Sequence, residues 1–178
     1  MKLSPRYGSH LPVLLQALGK TTGPVLELGM GVTSTPLLSA WCELEQRGLW
    51  SLDNDAAVVE WGRQRRTWIA HTIWHVDDWD GETLGVIDRV NFDVALVDHS
   101  PSERRVVEIA RLAHRAQYIV IHDSNGRYER EYHYQTIYPL FRYKLDFTAL
   151  EPSTTVLSNF HPLDDFWSRN WKSRSITF

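Results

Sequence analysis

Five short apolar runs of the chain each stop at, or just beside, an acidic residue. They are Val25-Leu26-Glu27, Trp50-Ser51-Leu52-Asp53, Ile73-Trp74-His75-Val76-Asp77, Val94-Ala95-Leu96-Val97-Asp98 and Ile119-Val120-Ile121-His122-Asp123. Segments of helical period separate them, so the runs read as parallel strands joined by helices. An open α/β sheet binds ligands beyond the carboxyl ends of its strands. Carboxylates gathered along that one edge repel each other, and folding alone gives no reason to collect them. The pattern therefore implies a sheet whose edge receives a cationic, hydroxyl-rich ligand.

The remaining punctuation fills in the order of elements. Residues 9–19 read as a short helix stopped by Gly19, and residues 25–28 as the first strand. The turn Gly29-Met30-Gly31-Val32-Thr33-Ser34-Thr35 follows, with a helix starting near Pro36, a residue suited to the first helical position. Strands are expected at 49–53, 72–76, 92–97 and 118–121, with a helix over 55–66. The run 92–97 is apolar almost throughout, as a strand covered on both faces should be. Ser100-Pro101-Ser102-Glu103 matches a capping box and predicts a helix start, with Val106, Val107, Ile109, Ala110 and Ala113 on its buried face. Beyond Gly126 the texture changes: 128–141 is an aromatic helix or lid, and 143–150 pairs with 154–159 as an antiparallel hairpin. The sum is an α/β sheet of about seven strands with right-handed crossovers.

Length and composition narrow the class. A chain of 178 residues is one domain, divided here into an N-terminal cap segment (1–22), a ligand-binding core (23–125) and an acceptor-side region (126–178). A net charge of −3 gives no reason to expect nucleic acid, and Arg63, Arg65 and Arg66 read as the solvated end of a helix. The single cysteine, Cys42, excludes an internal disulfide framework and a cysteine zinc site. No run approaches the ~20 apolar residues that span a bilayer, and Met1-Lys2-Leu3-Ser4-Pro5-Arg6 lacks the apolar stretch of a signal peptide. No membrane association is expected, and the cytoplasm is the expected location. Of the eight tryptophans, Trp79, Trp167 and Trp171 are placed to flank a ligand.

S-adenosylmethionine, with its sulfonium, ammonium and ribose hydroxyls, fits the ligand this edge describes. Gly29 and Gly31 let the backbone pass close to a ligand before a helix whose N-terminus favours negative charge. Thr33 and Ser34 add hydroxyls; Ser34 stands where the dinucleotide fingerprint has its third glycine. Asp53, about 20 residues beyond Gly31, is placed to accept from ribose hydroxyls, the alternative being a helix N-cap that Asn54 or Asp55 would otherwise supply. Asp77, Asp78 and Trp79 offer a carboxylate and a stacking surface to an adenine, or form a solvated loop. Asp98 can accept from an ammonium group and His99 can cover one side of the site.

Taken in order, ELGMG (27–31), LDND (52–55), VDDW (76–79), FDVALVDH (92–99) and IVIHDSN (119–125) resemble the class I S-adenosylmethionine-dependent methyltransferases over residues 9–159. The resemblance implies a Rossmann-like three-layer sandwich: a mostly parallel sheet of order 3-2-1-4-5-7-6 with strand 7 antiparallel. It implies Glu27, Gly29, Gly31, Asp53, Asp77 and Asp98 as cofactor-binding positions, and Tyr7-Gly8-Ser9-His10 closing over the cofactor. Aromatic and histidine residues at 128, 132, 133 and 134 fall where the family contacts its acceptor.

FDVALVDH and IVIHDSN look most like catechol-type O-methyltransferases, which hold Mg²⁺ between two aspartates and an asparagine. By position the metal set is Asp98, Asp123 and Asn125, although the asparagine position itself falls on Ser124. The family's catalytic lysine is Pro101 here, so that mechanism does not transfer intact. Without a metal, His122, His99 and His10 are the candidate bases, because only histidine titrates near neutral pH unperturbed. His122, beside Asp123, is the first choice. The expected function is methyl transfer to a small-molecule acceptor, at a hydroxyl oxygen. A nicotinamide-dependent oxidoreductase and a non-catalytic S-adenosylmethionine-binding module are the alternatives, and a homo-oligomer is one way to complete the acceptor pocket.

Overall fold

The structure, a computed structural model, describes residues 5–81, 85 and 88–168; Trp171 lies outside them. Seven strands form one sheet in the order β3-β2-β1-β4-β5-β7-β6. These are β1 (Val25–Leu28), β2 (Leu49–Asp53), β3 (His71–His75), β4 (Phe92–Val97), β5 (Ala116–Ile121), β6 (Tyr143–Phe147) and β7 (Thr154–Ser158). The first five run parallel, and β7 lies antiparallel to both β5 and β6.

Alternation along the strands divides the core into two layers. In β4, Ala95 and Val97 face a cluster with Leu26, Leu28, Ile119 and Ile121, while Val94 and Leu96 face Val25, Leu49 and Val120 on the other side. The first layer is covered by α4 (Arg105–Leu112) through Ile109 and Leu112; the second by α1 (Leu11–Gly19) and α2 (Ser34–Leu44) through Leu14, Leu18, Leu38 and Cys42. Helix α3 (Ala56–Arg65) brings Val59 and Gly62 against Met30 and Ile73. The sheet is thus buried on both faces, which is why its central strands read as unbroken apolar runs.

Three local expectations are adjusted. Helix α2 begins at Ser34 with Thr33 at its N-cap, so Pro36 sits inside the first turn rather than opening it. The capping box at 100–103 does not form: a 3₁₀ turn occupies Ser102–Arg104 and the α-helix starts at Arg105, with Val107 exposed rather than on its buried face. The aromatic segment is one short helix, α5 (Gly126–Glu131), followed by 3₁₀ turns at Tyr134–Thr136 and Tyr138–Leu140. Among the described residues, no helix is long and apolar enough to cross a membrane.

The register aligns the strand ends. Leu28 lies opposite both Leu52 and Val97, and Val97 opposite Ile121. Gly29, Asp53, Asp98 and His122 therefore emerge together at one edge. Strand order reverses between β1 and β4, the topological switch point at which such sheets open a crevice.

Candidate functional site

The floor of the crevice is the turn after β1. Gly29 has φ +89°, and a Cβ there would stand 2.5 Å from backbone atoms of Asp98 and His99, so only glycine fits. The Met30 N–H donates to Asp53 Oδ2 at 2.7 Å, and the Asp55 N–H donates to Asp53 Oδ1 at 2.8 Å. Asp53 thereby ties the β1 turn to the β2 turn, while each of its oxygens keeps a lone-pair site for another donor. The N-cap of α3 falls to Asp55, whose carboxylate accepts from the Ala57 and Val58 N–H groups at 2.8 and 3.3 Å.

Glu27 does not reach the crevice. It is fully buried beneath the turn, where Thr35 Oγ1 donates to Oε1 at 2.9 Å and Ser51 Oγ donates to Oε2 at 2.6 Å. Thr35 Oγ1 in turn accepts the Gly31 N–H at 2.9 Å, so Glu27 holds up the glycine turn from below. Burial pushes its carboxyl up to about 7, against the pull of the Ser51, Ser34 and Thr35 hydroxyls. Ser34 is likewise buried, and Thr33 Oγ1 donates to the Tyr7 carbonyl at 2.7 Å, fastening the N-terminal segment over the turn.

Two lobes open above this floor. One, about 580 Å³, is lined by Gly29, Asp53, Asn54 and His99 among others; the second, about 320 Å³, by Tyr7, His10, Gly31 and Thr33. Met30 and Asp98 line both, so the lobes meet across these residues. His99 is packed against Trp79, ring centroids 4.1 Å apart, and Trp79 Nε1 donates to the Ser100 carbonyl at 2.8 Å. Burial pushes His99 down to about 3, so the ring is neutral.

Asp77 and Asp78 lie elsewhere. The Asp77 side chain is 93% exposed beside His75, and Asp78 caps the Asp80 N–H in a solvated turn. Tyr134 is buried with its hydroxyl 3.4 Å from Arg105, and Tyr128 stacks on Tyr132 at 5.5 Å; neither these nor His133 line either lobe.

Beyond β4 and β5 four ionisable groups form one cluster. Arg105, 3% exposed, sets Nη2 at 2.9 Å from Asp98 Oδ1 and Nη1 at 3.6 Å from Asp123 Oδ2. Its remaining N–H groups donate to the carbonyls of Asp98, His99 and His122. His122 Nδ1 lies 3.1 Å from Asp98 Oδ2, and its Nε2 lies 2.9 Å from Ser9 Oγ. Ser9 spends its own proton on the Pro152 carbonyl at 2.7 Å, so Nε2 must be the donor. Burial alone would lower the His122 pKa, but its hydrogen bond to Asp98 and that residue's charge outweigh burial and raise it. The same pairing holds Asp98 below the ordinary carboxylate range despite its burial.

This cluster changes three expectations. Mg²⁺ does not fit between Asp98 and Asp123, because a guanidinium already bridges them and the Asn125 amide turns to Glu151 at 3.5 Å. His122 spends both ring nitrogens, on Asp98 and on Ser9, and so presents no free lone pair to an acceptor in this arrangement. The repulsion implied by the row of acids is relieved inside the chain, by Arg105 and His122. Of the acids read from sequence, Asp53 and Asp98 share the crevice, whereas Glu27 and Asp77 do not.

Arg105 was not singled out from sequence, and Met30 and Ser9 were named only as members of the glycine turn and of the segment 7–10. Arg105 left a trace: Arg104 and Arg105 follow the acid-tipped β4 and open a helix, the end at which the helix dipole disfavours cations. The individual contacts of Met30 and Ser9 left none, since only the fold sets what each side chain meets.

No family model matches the chain, and no curated protein matches it. Solved structures do. A METTL16 methyltransferase domain superimposes with a TM-score of 0.63 at 13% identity, over 89% of this chain and 71% of that one. A methyltransferase from Pyrococcus furiosus gives 0.60 at 13% identity, over 90% and 89%. An rRNA methylase from Streptococcus thermophilus gives 0.57 at 14% identity, over 90% and 99%. At these identities the likeness is one of fold: the chain has the Rossmann-like fold of class I S-adenosylmethionine-dependent methyltransferases, with the β5-β7-β6 edge included. Nothing in the comparisons points to the catechol-type branch.

Proposed function

We propose that the chain binds S-adenosylmethionine in the two-lobed crevice and transfers its methyl group to a small-molecule acceptor, at a hydroxyl oxygen. The observation that carries the reading is the crevice itself, at the switch point of a methyltransferase-like sheet, with Asp53 in one lobe and Asp98 where the lobes meet. When bound, the donor would supply a sulfonium-activated methyl group, which passes to the acceptor oxygen as the thioether sulfur leaves and the hydroxyl proton is lost to solvent. Asp53 accepts from ribose hydroxyls with the lone pairs its backbone contacts leave free. Neutral His99, braced by Trp79, forms a wall of the same lobe. The N-terminus of α2 faces the donor's carboxylate. Tyr7 and His10 close the smaller lobe and exclude water. The cluster of Asp98, Asp123, Arg105 and His122 is close to charge-balanced, so it orients a bound group more than it attracts one.

Such a site works by positioning, which can supply ~7–11 kcal/mol of the barrier. The test is calorimetric titration with S-adenosylhomocysteine. Asp53→Ala is expected to weaken binding by ~1–3 kcal/mol, since ribose hydroxyls lose a charged acceptor. Binding of NAD(H) in its place would substitute the oxidoreductase reading. Donor binding with no transfer to metabolites would leave a binding module. Transfer to RNA, which the similarity to an rRNA methylase raises, would displace the small-molecule acceptor.

A further inference from the structure

His10 and His99 are the two site histidines whose ring nitrogens are buried without a partner, and of the two His10 stands beside Asp98 and His122. It precedes α1, makes no capping bond, and is 1% exposed with neither ring nitrogen hydrogen-bonded. Buried polar atoms of this kind are uncommon and call for a reason. Its ring stands edge-on to His122, centroids 4.7 Å apart. One donor atom each from His10, Asp98 and His122 lies within 4.8 Å of the others. We propose that His10, Asp98 and His122 bind a single divalent ion of the zinc type, in a site distinct from the Asp98–Asp123–Asn125 set.

Each element of a metal site has a counterpart here. The donor set, two imidazoles and one carboxylate, suits Zn²⁺, Co²⁺ or Fe²⁺ rather than the oxygen-seeking Mg²⁺. The 3.1 Å between His122 Nδ1 and Asp98 Oδ2 is the spacing of two donors sharing one ion at bond lengths of about 2.0–2.2 Å. In the ion's absence a proton occupies that gap; the ion would replace it.

The outer partners are in place as well. Ligating histidines donate their second N–H to a fixed acceptor, and His122 Nε2 does so to Ser9. Ligating carboxylates are themselves hydrogen-bonded, and Arg105 holds the other Asp98 oxygen at 2.9 Å. His10, with neither ring nitrogen hydrogen-bonded, has a lone pair to offer. The smaller lobe opens onto both His10 and Asp98, giving an entry path and an open coordination position.

The ion site shares Asp98 and His10 with the proposed donor crevice, but it does not require methyl transfer and is tested on the protein alone. Protein freed of metal with EDTA is titrated with Co²⁺, followed by its visible absorption, and with Zn²⁺ by calorimetry. One ion per chain is expected, with d–d bands of a low-coordinate nitrogen–oxygen site. Removal of an outer partner typically costs about 10–100-fold in affinity, so Ser9→Ala should weaken Zn²⁺ by that factor and His10→Ala by about 100-fold or more. His10→Gln guards against a packing defect, and Asp77→Ala controls for the exposed His75–Asp77 pair. Absence of stoichiometric binding, or equal affinity in wild type and both His10 variants, would overturn the proposal. S-adenosylhomocysteine affinity measured in EDTA reports on the donor site separately.

Discussion

Replacing Glu27 by glutamine removes a carboxylate that is fully buried and, among the described residues, has only hydroxyl partners, and its effect should depend on pH. Burial raises this carboxyl from its ordinary 4.5 to about 7. The folded state therefore prefers the protonated form, while the unfolded chain ionises freely above 4.5. Stability from this group is complete below pH 4.5 and is lost as pH rises toward 7, after which it stays lost. At about 1.4 kcal/mol per pH unit of separation, the gap corresponds to about 3 kcal/mol, of which about 2–3 falls between pH 5 and 8. Glutamine cannot ionise, and its amide still meets Thr35 and Ser51, whose hydroxyls reorient to suit. Urea denaturation of both chains at pH 5, 6, 7 and 8 reads the difference, and subtraction cancels the histidines common to both. The variant should gain about 2–3 kcal/mol over wild type across that range. A difference that does not change with pH would show that Glu27 is ionised throughout, and that the hydroxyls compensate its burial in full.

The two glycines of the turn should behave differently. Gly29→Ala meets backbone at 2.5 Å in a left-handed conformation and should cost about 3 kcal/mol or more, whereas Gly31→Ala, 3.2 Å from one hydroxyl oxygen, should stay within about 1 kcal/mol; similar melting temperatures for the two would contradict this. Arg105→Ala strands two carboxylates and should cost about 3–5 kcal/mol, and adding Asp98→Asn should restore part of that loss. Strict additivity of the pair would mean that the guanidinium acts through its carbonyl contacts alone.

The fold was legible because its signals are local and repeated. Runs such as 94–98 and 119–123 state both the strand and its covered faces, and Gly29 states the turn. Boundaries slipped where two local rules competed, as at 100–105, where a capping-box pattern lost to a 3₁₀ turn. The places of Asp53 and Asp98 in the crevice were legible, since they follow from strand ends alone. Glu27 misled because strand alternation aims it below the turn, toward Ser51 and Thr35, a direction that proximity to glycine does not reveal. Asp77 follows β3, two strands from the switch point, and its side chain lies in solvent beside His75. Arg105 escaped because its meaning lies in partners from three segments, and sequence spacing does not encode where a long side chain ends.

The contact of Gly29 with the backbone of residues 98 and 99 has a bearing on how this crevice can be altered. Main chain pressed on main chain leaves no side chain there to exchange, so the base of the binding region is closed to redesign and to drift. The roof is different: residues 7–10 come from a segment outside the sheet, tied to the turn through Thr33 and to β5 through Ser9. Side chains of this roof can be exchanged without disturbing the main-chain contact beneath them.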